Sequence, residues 1–153
     1  MADYSATIHW HRGADEPFAD NRYSRGHQWS FDGGVSFRAS SSPHVVPRFS
    51  DPAGVDPEEA FIASLSSCHM LTFLYLAARA RHVIDSYDDT ATGEMTKTQE
   101  DRLWVSKVTL HPRIIWASPQ PSAADEDALH HAAHLDCFIA NSVRTEVVCE
   151  PIR

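Results

Sequence analysis

DPEEAFIASLSSCHMLTFLYLAARAR, residues 56–81, reads as one long helix, and the rest of the chain is arranged around it. Asp56 is placed to cap it, Pro57 suits the first helical position, and Glu59 completes a capping box with Asp56. No Gly or Pro follows before Arg81. Phe61, Ile62, Leu65, Met70, Leu71, Phe73, Leu74 and Leu76 fall nearly all round the cylinder, which predicts burial on every side. Cys68 stands at its centre, between Ser66-Ser67 and His69.

Upstream, residues 3–11 alternate as a strand, residues 12–21 form a loop, and HQWSF (27–31) is a second strand. Asp32-Gly33-Gly34 is a tight turn joining it to residues 35–39 as a hairpin. Residues 40–55 are rich in Ser, Pro and Gly and lead into the helix. Downstream, HVIDSYDDTATGEMTKT (82–98) reads as an exposed strand and Leu103–Trp116 as the clearest strand run, with Pro112 marking an edge or a bulge. A second helix is expected from about Ser122 to Ser142, capped by Ser122, with Asp125, Glu126 and Asp127 at the positive end of its dipole. TEVVCEPIR closes the chain as a short strand. Strands, helix, strands, helix and strand predict an α+β fold in a single domain over residues 1–153.

A formal charge of -8, with 13 scattered Lys and Arg, argues against a nucleic-acid partner. The first residues lack the apolar core of a signal peptide. Ser64, Ser66, Ser67, His69 and Thr72 interrupt the long helix too often for a membrane span, so a soluble, cytoplasmic protein is expected. Three cysteines do not make a secretory disulfide framework.

Cys137, in line with Leu129, Ala133 and Ala140 on the second helix, faces inward like Cys68. Packed helices lie roughly 8–10 Å apart, so two such cysteines meet if they share a height. They are then a reactive thiol with its resolving partner or two unrelated core residues. Cys149, alternating with Val147, reads as structural. Glu58 is left unassigned by the capping box, and Arg48 lies between Pro47 and Phe49.

On these residues the chain resembles the OsmC/Ohr superfamily, the osmotically induced and organic hydroperoxide resistance proteins. The signature is Pro57-Glu58-Glu59 followed by Ser67-Cys68-His69-Met70, with Arg48-Phe49 ten residues before Glu58. The resemblance implies two long helices between antiparallel sheets in an intertwined homodimer. It implies that Cys68 is the peroxidatic cysteine, Cys137 the resolving cysteine, and Arg48 with Glu58 the pair that activates the thiolate. Two positions depart from the better-characterised members: Phe138-Ile139 follows Cys137 where a proline is usual, and His69 stands where an apolar aromatic is common.

The chemistry has its own requirements. A peroxidatic cysteine must ionise near neutral pH, and burial opposes this unless a cation stands close. Arg48 is always charged, and Glu58 would hold it by a bidentate pair. Glu58 and Cys68, ten residues apart on one helix, are about 15 Å apart along its axis. A shared site therefore requires Arg48 and Glu58 from a second, antiparallel copy. The expected reaction is reduction of an organic hydroperoxide to an alcohol through a Cys68 sulfenic acid, which Cys137 resolves as a disulfide. An external dithiol then reduces that disulfide, with no cofactor needed. The resemblance implies a lipoyl protein or small thiols as the reductant, and the sequence does not select between them. Two other classes stay open. His130, His134 and Cys137 fall at i, i+4 and i+7 with a spacing that ligates zinc. A non-catalytic small-molecule binder of the same fold is the third reading.

Overall fold

Among the described residues, eight strands and two helices follow the chain order β1 (Ala6–His9), β2 (His27–Phe31), β3 (Ser36–Ala39), α1 (Pro57–Arg79), β4 (Ile84–Asp89), β5 (Thr92–Lys97), β6 (Leu103–Leu110), β7 (Pro112–Trp116), α2 (Ala123–Asp136) and β8 (Glu146–Cys149). A 3-10 turn at Ala140–Ser142 precedes β8. The computed structural model describes residues 2–117 and 119–153. It divides into two units, residues 1–60 and 61–153, and its class is α+β.

In the first unit β1, β2 and β3 form an antiparallel sheet. β1 is shorter than the strand expected at residues 3–11, and all four of its residues are exposed. The β2–β3 turn is the expected one: Phe31 N–H donates to Val35 O at 2.9 Å, and Gly34 takes a φ of +83°, open to glycine without strain. Val55 N–H donates to Arg38 O and Ser40 N–H to Val55 O, which fastens the end of β3 to the segment just before α1. A side chain at Gly54 would sit 2.9 Å from the Ala39 carbonyl carbon, so only glycine permits this approach. The capping box forms as the sequence predicts: Glu59 N–H donates to Asp56 Oδ1 at 2.8 Å and Asp56 N–H to Glu59 Oε2 at 3.1 Å.

The second unit carries two sheets, β4-β7 and β5-β6-β8. The expected exposed strand at 82–98 is two strands in different sheets, and the run 103–116 breaks at His111 into β6 and β7. Pro112, which cannot donate to a ladder, marks the change. Not every pairing is antiparallel, since β6 and β8 run parallel with Val108 opposite Val147 and Leu110 opposite Cys149.

α1 serves both sheets of this unit. Leu65 packs with Val108 and Leu110, while Phe73 and Ala77 pack with Ala133 of α2 and, around them, Ile84, Tyr87, Ile114 and Trp116. Gly93 lets β5 approach α1, because a Cβ there would lie 2.5 Å from Ile62 Cδ1. Burial on every side does not hold in the single chain. The buried stripe is Leu65, His69, Phe73 and Ala77, at helical spacing, and Leu71 and Tyr75 are 61% and 60% exposed. By length and composition α1 is apolar enough to cross a membrane. Its end adopts the left-handed turn of a Schellman motif, with Arg81 at φ +68° and His82 N–H donating to Ala77 O.

α2 starts where expected, Ser122 Oγ accepting from Asp125 N–H at 3.1 Å. It does not reach Ser142. Cys137 is its C-cap, with extended dihedrals (φ -71°, ψ 112°). No Gly or Pro between 122 and 142 announces this stop. Instead Ile139, Ala140 and Val143 turn back onto the Leu65–Val108–Leu110 core, so tertiary burial overrides helical propensity.

Candidate functional site

Cys68 lies at mid-length on α1 and is half-buried. Thr72, one turn on, donates its hydroxyl to the Cys68 carbonyl at 2.9 Å. Cys137 is buried, and its cap position frees its side chain from a helical face. The Ala140 amide donates to Cys137 Sγ at 3.4 Å. Burial pushes the Cys137 thiol up from its ordinary pKa; the Ala140 amide pulls the other way, and the neighbouring Cys68 side chain adds to the rise. Cys68 is thus a near neighbour of the Cys137 thiol, and both cysteines are free thiols.

Arg48 lies exposed in the turn-rich segment 43–49, and Glu58 is half-buried in the first turn of α1. Among the described residues Arg48 and Glu58 form no ion pair with each other. Because α1 is continuous from Pro57 to Arg79, Glu58 stands about 15 Å along the axis from Cys68.

One residue beyond Cys68, the buried stripe carries a different group. His69 Nε2 meets His130 Nδ1 at 3.0 Å, their rings nearly parallel at 9° with centroids 5.4 Å apart. Phe73 stacks on His130 at 4.2 Å. His69 and His130 are therefore both core residues. Burial lowers both imidazoles to about 4; His134 adds to the drop for His69 and His69 to that for His130, while Asp89 and Asp127 oppose it. Cys149 joins them, half-buried, its thiol pushed up to about 12 by burial and then by Asp89, Asp127 and Glu126.

Among the described residues, one potential ligating atom each from His69, His130 and Cys149 lie within 4.8 Å of one another; no such cluster unites His130, His134 and Cys137. The i, i+4, i+7 spacing fails because α2 ends at Asp136, before Cys137 can continue the face. Asp89 anchors the neighbourhood, accepting from Ser66 Oγ at 2.5 Å and from the His111 amide at 2.7 Å. The signal for the burial of His69 was present in the chain, since His69 stands four residues from both Leu65 and Phe73. Its partners, 61 and 80 residues on in sequence, follow no local period.

Residues 50–151 match the family described as OsmC-like protein. The structure is similar to that of an OsmC-like protein of unknown function from Vibrio cholerae O1 biovar eltor strain N16961, at 50% identity and TM-score 0.96 over 99% of this chain and 100% of that one. It is also similar to the organic hydroperoxide resistance protein OhrB of Bacillus subtilis (18% identity, TM-score 0.70, 99% and 98% covered). The same likeness extends to an organic hydroperoxide resistance protein OsmC from Legionella pneumophila (18%, 0.70, 99% and 96%). Among proteins of curated function none matches the sequence.

Proposed function

The chain belongs to the OsmC-like family, and from that premise we propose that it is a cysteine-based peroxidase that reduces organic hydroperoxides to alcohols. The observation that carries this reading is the encounter of Cys68 and Cys137, one half-exposed thiol and one buried thiol on neighbouring elements. The names of the Bacillus and Legionella proteins support the same class.

In the proposed cycle the Cys68 thiolate attacks the distal peroxide oxygen. The O–O bond breaks, the alkoxide leaves with a proton as alcohol, and Cys68 becomes a sulfenic acid. Cys137 then attacks the Cys68 sulfur, forming the disulfide and releasing water, with the Cys137 proton going to the departing hydroxide. A dithiol supplied from outside returns both sulfurs to thiols and is itself oxidised to a disulfide. Burial, which pushes the Cys137 thiol up, disfavours its thiolate and suits it to the resolving step rather than to the first attack.

Thiolate formation at Cys68 calls for a cation, and in this proposal Arg48, held by Glu58, comes from a second copy of the chain. The apolar surfaces support that assignment. Leu71, Tyr75, Leu135 and Phe138 are more than half exposed, around a groove of about 490 Å³. Such a patch is unusual for a lone soluble chain.

The test is one equivalent of cumene hydroperoxide added to the reduced protein, followed by intact mass and peptide mapping. Loss of two hydrogens mapping to a Cys68–Cys137 disulfide is expected. Two thiols still free after minutes in a folded protein overturn the reading, and a strict monomer by sedimentation overturns the composite site.

A further inference from the structure

We propose that His69, His130 and Cys149 form a binding site for one thiophilic d10 cation, of which zinc is the best match, held between α1, α2 and β8. The proposal does not depend on the peroxidase reading, since it uses neither Cys68 nor Cys137.

Two imidazoles and a thiol are the donors that borderline-soft cations select over the hard ions calcium and magnesium. Around a tetrahedral zinc with bonds of about 2.0–2.3 Å, ligand atoms stand roughly 3.3–3.8 Å apart. The three groups here offer atoms within 4.8 Å of one another, so small side-chain rotations bring them onto a single ion. His69 and His130 are only 1% and 4% exposed, which holds the rings in place.

A second observation points to a missing partner. Among the described residues, His130 Nε2 is buried and makes no hydrogen bond, although its Nδ1 is engaged by His69. A buried polar atom left unsatisfied costs about 1–3 kcal/mol, and native structures keep few of them without a reason. A cavity of about 330 Å³ reaches His130 and Cys149 and is lined also by Asp127, His131 and His134. It supplies both an access route and candidate fourth donors, as an ion site requires. Binding forms a metal–thiolate bond, releases the Cys149 proton to solvent, and changes no oxidation state.

The test is titration of the full-length, chelator-stripped, reduced protein with Co²⁺ and then Zn²⁺. One cobalt per chain is expected, with a thiolate-to-cobalt charge-transfer band and the strong visible bands of tetrahedral cobalt. Zinc should abolish these bands and raise Tm. Cys149→Ser should remove the charge-transfer band, and His130→Gln should weaken cobalt binding by at least about 100-fold, the upper end of what losing a ligand's supporting partner costs. The double variant Cys68→Ser/Cys137→Ser should keep the band. A band that survives Cys149→Ser, or vanishes in the double variant, overturns the assignment, as does failure to bind cobalt at all. Should Cys149→Ser not fold, alkylation of the unaltered chain decides: zinc is expected to protect Cys149 while Cys68 still labels, and equal labelling of Cys149 with and without zinc overturns the site.

Discussion

Cys68 and His69 are consecutive residues about 100° apart round the same helix, and they belong to different chemistries. Each takes a partner from the α2 region: Cys68 meets Cys137 at the cap, while His69 meets His130 inside the helix. The sulfur pair has one half-buried member, Cys68, so solvent can reach it. The histidine pair is buried against Phe73 and the core, and is approached along the cavity that reaches His130. Burial, more than the identity of the elements, separates the proposed reactive thiol from a candidate ligand set. Two groups a residue apart are thereby kept from sharing a function.

The comparison breaks most visibly at Cys68. Cys68→Ser is expected to lower hydroperoxide turnover by roughly three orders of magnitude or more, in a coupled dithiol-oxidation assay. Turnover that persists would move the nucleophile elsewhere. Cys137→Ser should still consume a first equivalent of peroxide but leave a sulfenic acid that a dimedone probe traps, with no intramolecular disulfide on mapping. A disulfide to Cys149 instead would erase the division between the two clusters.

Phe73→Ala sharpens the other side. Deleting a fully buried ring stacked on His130 should cost about 3–5 kcal/mol in denaturant unfolding. A cost below about 1 kcal/mol would mean that the histidine cluster is not enclosed as described.

Acid provides the subtlest contrast. In chelator-stripped protein, His69 and His130 stay neutral down to about 4, whereas in the unfolded chain they protonate near 6.5. Between these values the unfolded state binds protons that the folded state refuses. Stability present above pH 6.5 is therefore lost as the pH falls towards 4, by on the order of 3 kcal/mol for each histidine. A His69→Phe/His130→Leu variant should flatten that slope, and an unchanged slope would place the acid sensitivity elsewhere.

What could be read from the chain was what is local. The Asp56–Glu59 box, the Asp32–Gly34 turn and the Ser122 cap depend on a few adjacent residues, and each forms as its chemistry dictates. The family resemblance rested on similarly short motifs and is matched over residues 50–151. What escaped was decided by distant partners. The early stop of α2 comes from Ile139 and Val143 turning onto a core built by β6, and the exposed flank of α1 is apolar by sequence yet uncovered in one chain. The His69–His130–Cys149 cluster joins three elements whose separation no periodicity encodes. Of the candidate site, the meeting of Cys68 and Cys137 was legible because both were read as inward-facing, although Cys137 arrives there from a cap instead of a helical face.

The parallel pairing of β6 with β8 also has a consequence for biosynthesis. The chain leaves the ribosome in order, at about 5–20 residues per second. Lys107–Leu110 are made well before Glu146–Cys149, yet these residues pair with one another. During that interval, seconds long at those rates, α1 has emerged while the sheet beneath Leu65 still lacks its last strand. A nascent chain arrested before residue 146 is expected to be captured by chaperones and cut readily by protease within α1, and one extended past residue 149 to resist. The final strand would thus act as the latch that ends the protein's dependence on its folding helpers.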